Sequence, residues 1–234
     1  GINCPKQFPG KVIGRIAEIT GMKFFEAKNH FEAQSAKDAY VSVAGTLNTI
    51  AAAFMKIAND IRWLSSGPTS GLAEIKLPAI QPGSSIMPGK VNPVMSESMM
   101  QVCARVMGNV QTVTIAAQQG NFQLNVMMPV MTHAVLESID ILAHVLDAFR
   151  ANCLDGIEVD RERCQELLEL NPSIATALNQ TIGYDKASEV AKKAAAEKKP
   201  VTRVVQEMGL LSEDELKAAL DVRAMTEPGI PGEK

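Results

Sequence analysis

A segment rich in glycine, proline and serine, residues 83–93, carries the side chains best suited to act on a small anion. It places two hydroxyls, Ser84 and Ser85, close to the ammonium of Lys90 and the amide of Asn92. Groups of these kinds hydrogen-bond a carboxylate and stabilise negative charge that grows during a reaction. The segment therefore predicts a site for a small carboxylate.

Gly83 and Gly89 lie on either side of the two serines and Met87-Pro88. Glycine adopts positive φ and lets backbone approach closely, so amide N–H groups can converge on an anion. A serine hydroxyl such as that of Ser84, desolvated beside a positive charge, can lose its proton and act as a base. A solvated surface loop has a similar composition, so the residue types alone leave both interpretations open.

Composition and charge exclude several classes of function. The chain has 234 residues, of which 46% are apolar and 21% charged, and this is typical of one or two globular domains. Its net charge of −3 argues against general affinity for nucleic acid or anionic membranes. No uncharged apolar run reaches about 18 residues, so we expect no membrane span.

The cysteines show neither a C-x-x-C pair nor the close spacing of a disulfide framework. We therefore expect free thiols and a cytoplasmic location. The four residues are Cys4, Cys103, Cys153 and Cys164.

The elements that must position the 83–93 segment are long helices. Apolar residues recur every three or four positions over residues 31–64, 94–118 and 131–153, which predicts three helices packed in a bundle. Asn29 is expected to cap the first of them. The residues predicted to face the core are Tyr40, Val43, Leu47, Ile50, Phe54, Ile57, Ile61 and Leu64, then Met99, Val102, Val106, Val110, Val113 and Ala117, then Val135, Ile139, Leu142, Leu146 and Phe149.

The predicted fold class is all-α, with two domains. Residues 1–155 form the long-helix bundle and include a loop at 67–93, which is long for a connection and so is predicted to be functional. Residues 156–234 form a small helical domain with helices at 160–168, 184–197, 201–208 and 212–220. Within the loop, burial is predicted for Ile75, Leu77, Ile80, Ile86 and Met87.

The 83–93 segment resembles the signature of the fumarase/aspartase superfamily, and its Val-Asn-Pro ending is similar to the fumarase and aspartase branches. Residues 55–63, 120–126 and 182–187 also resemble class II fumarases. The resemblance extends through nearly the whole chain and corresponds to the C-terminal half of a class II fumarase. It implies that the bundle is part of the superfamily's central helical domain.

The resemblance implies reversible hydration of fumarate to L-malate, a reaction of the citric acid cycle, without a metal or other cofactor. It implies Ser84 as the catalytic base and Ser85 as a substrate ligand on a mobile loop. Lys90 and Asn92 would bind a substrate carboxylate and stabilise the intermediate, and Glu97 would pair with a catalytic histidine of another subunit. An acidic residue in the first turn of a helix, as Glu97 is, also interacts favourably with the helix dipole.

The same resemblance implies a homotetramer whose active sites each take residues from three subunits. It further implies a missing N-terminal half that carries the catalytic histidine, so we expect this polypeptide alone to be inactive. The histidines present, His30, His133 and His144, match no motif of the family.

Two alternatives stay open from the sequence. Residues 64–67 and Val94 also resemble aspartases, which release ammonia from L-aspartate, although Trp63 and the Asn121-Phe122 pair favour fumarase. The chain could instead be a non-catalytic helical fragment that serves oligomerisation, because long apolar stripes require partners.

Overall fold

The computed structural model describes residues 2–229 and is all-α, as the sequence predicts. The helices are α1 (Phe8–Thr20), α2 (His30–Ser35), α3 (Asp38–Leu64), α4 (Val94–Ala117), α5 (Met128–Asn152), α6 (Arg161–Glu169), α7 (Asn179–Ile182), α8 (Tyr184–Glu197), α9 (Val201–Glu207) and α10 (Glu213–Ala219). The strands are β1 (Ile75–Lys76), β2 (Gly120–Asn121), β3 (Leu124–Asn125) and β4 (Glu158–Val159).

The chain divides into two compact units. One comprises residues up to Arg62 together with Pro78–Gly156, and the other comprises Trp63–Leu77 together with residues from Ile157 onward. The predicted division after residue 155 assigns Trp63–Leu77 to the first domain. In the structure this segment joins the second unit because β1 pairs antiparallel with β4 and Asp160 N–H donates to Glu74 O at 2.9 Å.

The core of the first unit follows the interior stripes of α4 and α5. Burial of Met99, Val106 and Val113 on α4 and of Leu142 and Phe149 on α5 is confirmed. Polar or small residues complete the stripes at positions that apolar periodicity does not reveal. These are Ser96, Cys103, Asn109 and Ala116 on α4, and Ala134 and Ser138 on α5.

Two details of the predicted stripes are wrong. Ile139 is 45% exposed, and its neighbour Ser138 is buried in its place because it bonds the backbone and Asn109. On α3 the buried stripe is turned toward Ala44, Ala51 and Ala58, with Leu47 and Ile61, while Val43 and Ile57 are exposed. Small side chains, rather than the predicted large apolar ones, therefore make up most of the buried stripe of α3.

A single helix over residues 31–64 is also a wrong prediction, because the chain leaves helical geometry at Ala36 (φ −77°, ψ 138°). The predicted cap is confirmed: Asn29 Oδ1 accepts hydrogen bonds from the N–H groups of Phe31 and Glu32. Lys37 Nζ donates to Ala33 O, which satisfies a carbonyl at the end of α2. Helix α1 was not predicted, and none of its residues is buried in the chain.

One buried side chain connects α4 to α5. Asn125, which is 0% exposed, donates through Nδ2 to the carbonyls of Ala116 and Ala117 at 3.0 and 3.3 Å. Its Oδ1 accepts from Met127 N–H at 2.8 Å. The amide therefore satisfies backbone groups at the C-terminal end of α4 and at the N-terminal end of α5, where helices lack internal partners.

A polar cluster links the same two helices midway along their length. Asn109 Nδ2 donates to Glu137 Oε2 at 2.7 Å and to Ser138 Oγ at 3.0 Å. Arg105 donates to both carboxylate oxygens of Glu137. The Asn109 hydrogen bond, followed by those from Arg105, holds the pKa of Glu137 below its usual value.

The second unit is a small helical domain as predicted. Its core contains Val190 on α8 and Val201, Val204 and Val205 on α9. The capping box predicted at the start of α10 is confirmed, because Ser212 and Glu215 exchange side-chain and backbone hydrogen bonds. Arg163 on α6 donates to the carbonyls of Gly71 and Leu72, which ties Trp63–Leu77 to this unit.

Within residues 2–229, two segments meet the length and hydropathy of a membrane span, Asp38–Leu64 and Met128–Gly156. Long core helices of helical bundles meet the same criteria, so these features alone do not establish a membrane protein.

Replacing Asn125 tests the joint between α4 and α5. Asn125→Ala removes the hydrogen bonds to the carbonyls of Ala116 and Ala117 and takes away the partner of Met127 N–H, so we expect it to lower the free energy of unfolding by about 1–3 kcal/mol. Asn125→Asp should cost at least as much, because a carboxylate cannot donate to carbonyls. Urea unfolding followed by circular dichroism measures both. Asn121→Ala, which removes only an exposed hydrogen bond to Gln119 O, is the matched control and should be near neutral.

The lowered pKa of Glu137 predicts an acid-sensitive contribution to stability. A carboxyl whose pKa is depressed by folding stabilises the protein above its unfolded pKa, and this contribution is lost as the pH falls through the folded pKa. Glu137→Gln should therefore be less stable than the parent at neutral pH, and the difference should shrink as the pH falls below about 4.5. A difference in unfolding midpoint that does not change with pH would contradict this.

Candidate active-site loop

The predicted loop contains no helix, and its second half, residues 78–93, belongs to the first unit. This half surrounds an open cavity of about 440 Å³. Ser84 and Lys90, the residues predicted to supply a hydroxyl and an ammonium, both line this cavity. The other lining residues are Ala79, Ile80, Gln81, Pro82, Gly83, Met87, Gly89 and Val91.

Two hydrogen bonds close the loop at Gly83. Gly83 N–H donates to Lys90 O at 3.0 Å, and Asn92 Nδ2 donates to Gly83 O at 2.8 Å. A Cβ atom on Gly83 would lie 2.1 Å from Lys90 O, so no other residue fits without moving the backbone. Gly89 has φ +75°, which favours glycine. The predicted close approach is thus confirmed at Gly83, and the predicted positive φ at Gly89.

The two serines have different surroundings. Ser84 is half-buried, and its Oγ accepts a hydrogen bond from Ile86 N–H at 3.2 Å. Ser85 is exposed and does not line the cavity. Only Ser84 is therefore placed to act within the cavity as this chain forms it.

Lys90 supplies the positive charge of the cavity. Its side chain is exposed, and no ion pair or hydrogen bond engages Nζ within residues 2–229. The ammonium is therefore available to an anion that enters the cavity. Asn92, which is half-buried, lies at the base of the loop and is engaged with Gly83 O.

Glu97 stands apart from the cavity, in the first turn of α4. Its backbone N–H donates to Pro93 O at 3.0 Å. Its carboxylate is partly buried and has no hydrogen bond or ion pair to any residue that the structure describes. Ser84 and Lys90 thus line the same cavity, Asn92 bonds the loop at Gly83, and Ser85 and Glu97 lie outside the cavity lining.

Sequence reasoning missed the walls of the cavity. Gln81 adds a polar side chain to the lining, and Val91 an apolar one. Burial predicted for Ile80, Ile86 and Met87 is wrong in this chain, because Ile86 is 82% exposed and the other two are also exposed. Ile80 and Met87 line the open cavity instead, since no described element of the first unit covers them. Both are recognisable in the sequence as apolar loop residues, so only their place in the cavity wall was missed.

Among the described residues, no three histidine, cysteine, aspartate or glutamate side chains group as a metal site. The side chains that line the cavity offer the Ser84 hydroxyl, the Lys90 ammonium and the Gln81 amide beside apolar walls. Such donors bind a carboxylate and stabilise an anionic intermediate.

Two family models match the sequence. The model described as "Lyase" matches residues 1–108, and the model described as "Fumarase C C-terminus" matches residues 174–227. Class II fumarate hydratase from Thermus thermophilus is 51% identical over 215 residues, 92% of this chain and 46% of the relative. The enzyme of the same name from Corynebacterium glutamicum is 49% identical over 231 residues, 96% of this chain and 49% of the relative.

Solved structures agree with these sequence matches. The fumarate lyase:delta crystallin structure from Brucella melitensis matches with a TM-score of 0.90 and 44% identity, over 97% of this chain and 49% of that chain. The class II fumarase of Schistosoma mansoni matches with a TM-score of 0.88 and 33% identity, over 97% and 50%. The chain spans about half the length of the curated relatives it matches. In sequence and in fold, the chain therefore matches the C-terminal half of class II fumarate hydratases.

Proposed function

We propose that the complete protein containing this chain catalyses the reversible hydration of fumarate to L-malate, and that this chain supplies the serine loop of its active site. The observation that carries the proposal is the shared cavity of Ser84 and Lys90, in a chain 51% identical to a class II fumarate hydratase. The substrate is a small dicarboxylate, whose charge complements the Lys90 ammonium.

Ser84 is the proposed base. In the direction from malate, its alkoxide removes a proton from the carbon next to a carboxylate, which becomes an aci-carboxylate dianion. The hydroxyl on the adjacent carbon then takes up a proton and leaves as water, which gives fumarate. A free serine hydroxyl is a poor base, so the alkoxide requires the positive charge of Lys90 and exclusion of water by bound substrate.

Lys90 and Asn92 are the proposed ligands of a substrate carboxylate, and they stabilise the dianion as its charge grows. Lys90 can do so because its Nζ has no partner among the described residues. Ser85 is exposed beside the cavity and is proposed to contact the substrate once the loop closes.

Glu97 is proposed to pair with a catalytic histidine of another subunit in a homotetramer. Its partly buried carboxylate has no partner in the described part of this chain, and it therefore remains available for one. The histidine would come from the N-terminal half that makes up the rest of the relatives' length. The four cysteines are all free, which supports the proposed cytoplasmic location.

A second candidate function is a helical association module without catalysis. The observation that favours it is the set of exposed apolar side chains on the helices of the first unit. Phe8 and Ile19 on α1 and Leu136 and Ile139 on α5 are examples. Such surfaces require partners. A composite active site would place partners on the same surfaces, so assembly and catalysis are compatible.

Replacing Ser84 tests the proposed chemistry. In the complete protein, Ser84→Ala should lower kcat for malate dehydration by about 10²–10⁴-fold, because it removes the proton acceptor and leaves Lys90 and Asn92 in place. Absorbance of fumarate follows the reaction, and circular dichroism checks that the helices remain. Ser85→Ala is the matched neighbour and should raise KM more than it lowers kcat. Near-normal kcat in Ser84→Ala would refute the assignment.

A further inference from the structure

The peptide group that joins Gly83 to Ser84 is held by a side chain nine residues further along the chain. Its carbonyl oxygen, Gly83 O, accepts the 2.8 Å hydrogen bond from Asn92 Nδ2. A trans peptide group is planar, with its N–H directed opposite to its carbonyl. The bond therefore fixes the orientation of the plane and the direction of Ser84 N–H.

The N–H of Gly83 is held by the same end of the loop. It donates to Lys90 O at 3.0 Å. Both backbone polar groups of Gly83 are thus engaged by Lys90 and Asn92, and the 2.1 Å approach described above leaves no room for a side chain. Gly83 cannot rotate about its bonds without breaking one of these contacts.

Asn92 lies at the junction between the loop and helix α4. Pro93 follows it directly with φ −78° and caps α4. Pro93 O accepts from Glu97 N–H, so the anchor continues into the helix. Asn92 is half-buried, whereas every residue from Ser85 to Val91 is exposed. Water competes less for a hydrogen bond at such a position.

We infer that Asn92 is the positioning residue for Ser84, acting through the Gly83–Ser84 peptide group. The inference rests on the proposed function, in which Ser84 is the base. One N–H of the Asn92 amide orients the backbone that carries the Ser84 hydroxyl, and the second N–H remains for the substrate carboxylate. The geometry of the base is thus set before the substrate arrives.

Hydrogen exchange in the substrate-free chain tests the contact itself. Asn92→Ala should speed exchange of the Gly83 amide about tenfold, which corresponds to about 1.4 kcal/mol and to the loss of a single hydrogen bond. Asn121→Ala is the control, because it also removes an asparagine hydrogen bond to a backbone carbonyl, but at the exposed β2–β3 hairpin. It should leave exchange at Gly83 unchanged. Both variants should unfold at the same midpoint temperature as the parent. An unchanged midpoint shows that Asn92 orients the loop and does not stabilise the whole fold.

Steady-state kinetics in the complete protein tests whether Asn92 affects catalysis by positioning Ser84. Asn92→Ala should lower kcat at least about tenfold in the parent and by a clearly smaller factor in a Ser84→Ala background. In that background the part of its effect that passes through the hydroxyl is already removed, and only its contact with the substrate carboxylate is left to lose. A residue that acts only as a substrate ligand would instead lower kcat/KM by the same factor in both backgrounds.

Unchanged Gly83 exchange in Asn92→Ala, or equal losses of kcat in the two backgrounds, would overturn the inference. If the proposed function itself is wrong, the result is different, because Ser84→Ala alone would then leave kcat close to that of the parent. If Ser84→Ala keeps its turnover and Asn92→Ala still speeds exchange at Gly83, the Asn92 hydrogen bond supports the loop but has no role in catalysis. This result also overturns the positioning role.

Discussion

The hydrogen-bonded closure of the loop at Gly83 is the constraint on which the rest of the site depends. Gly83 N–H and O are both engaged, by Lys90 O and Asn92 Nδ2, and no side chain fits at this position. Because Ser84 follows Gly83 and Lys90 contributes one of the two contacts, this closure sets the cavity that both side chains line. Without it the serine and the lysine would belong to an ordinary exposed loop.

Helix α4 connects this closure to the core. Its first turn follows Pro93, its interior stripe packs against α5, and Asn125 satisfies carbonyls in its last turn. The polar cluster of Asn109 and Glu137 fixes α4 against α5 midway along both helices. The buried contacts that stabilise the first unit thereby also hold the end of the helix from which Asn92 reaches Gly83.

Much of this could be predicted from the sequence where the cause is local. The span of α8 is as predicted, and so are the Ser212 capping box and the tight packing at Gly83, because each follows from neighbouring residue types. The misses have non-local causes. Ser138 replaces Ile139 in the core because it bonds Asn109 across the helix pair, and β1 joins the second unit through strand β4. The exposure of Ile86 depends on what covers the loop, which apolar composition does not reveal.

Complementation tests the central claim that this chain contributes the serine loop to a shared active site. The chain would be mixed with a separately produced N-terminal half of the protein, and malate formation from fumarate measured. The account predicts no hydration by either part alone, hydration by the mixture, and its loss when the chain carries Ser84→Ala. Tight association of the two parts without any hydration, or hydration that Ser84→Ala leaves intact, would contradict the account.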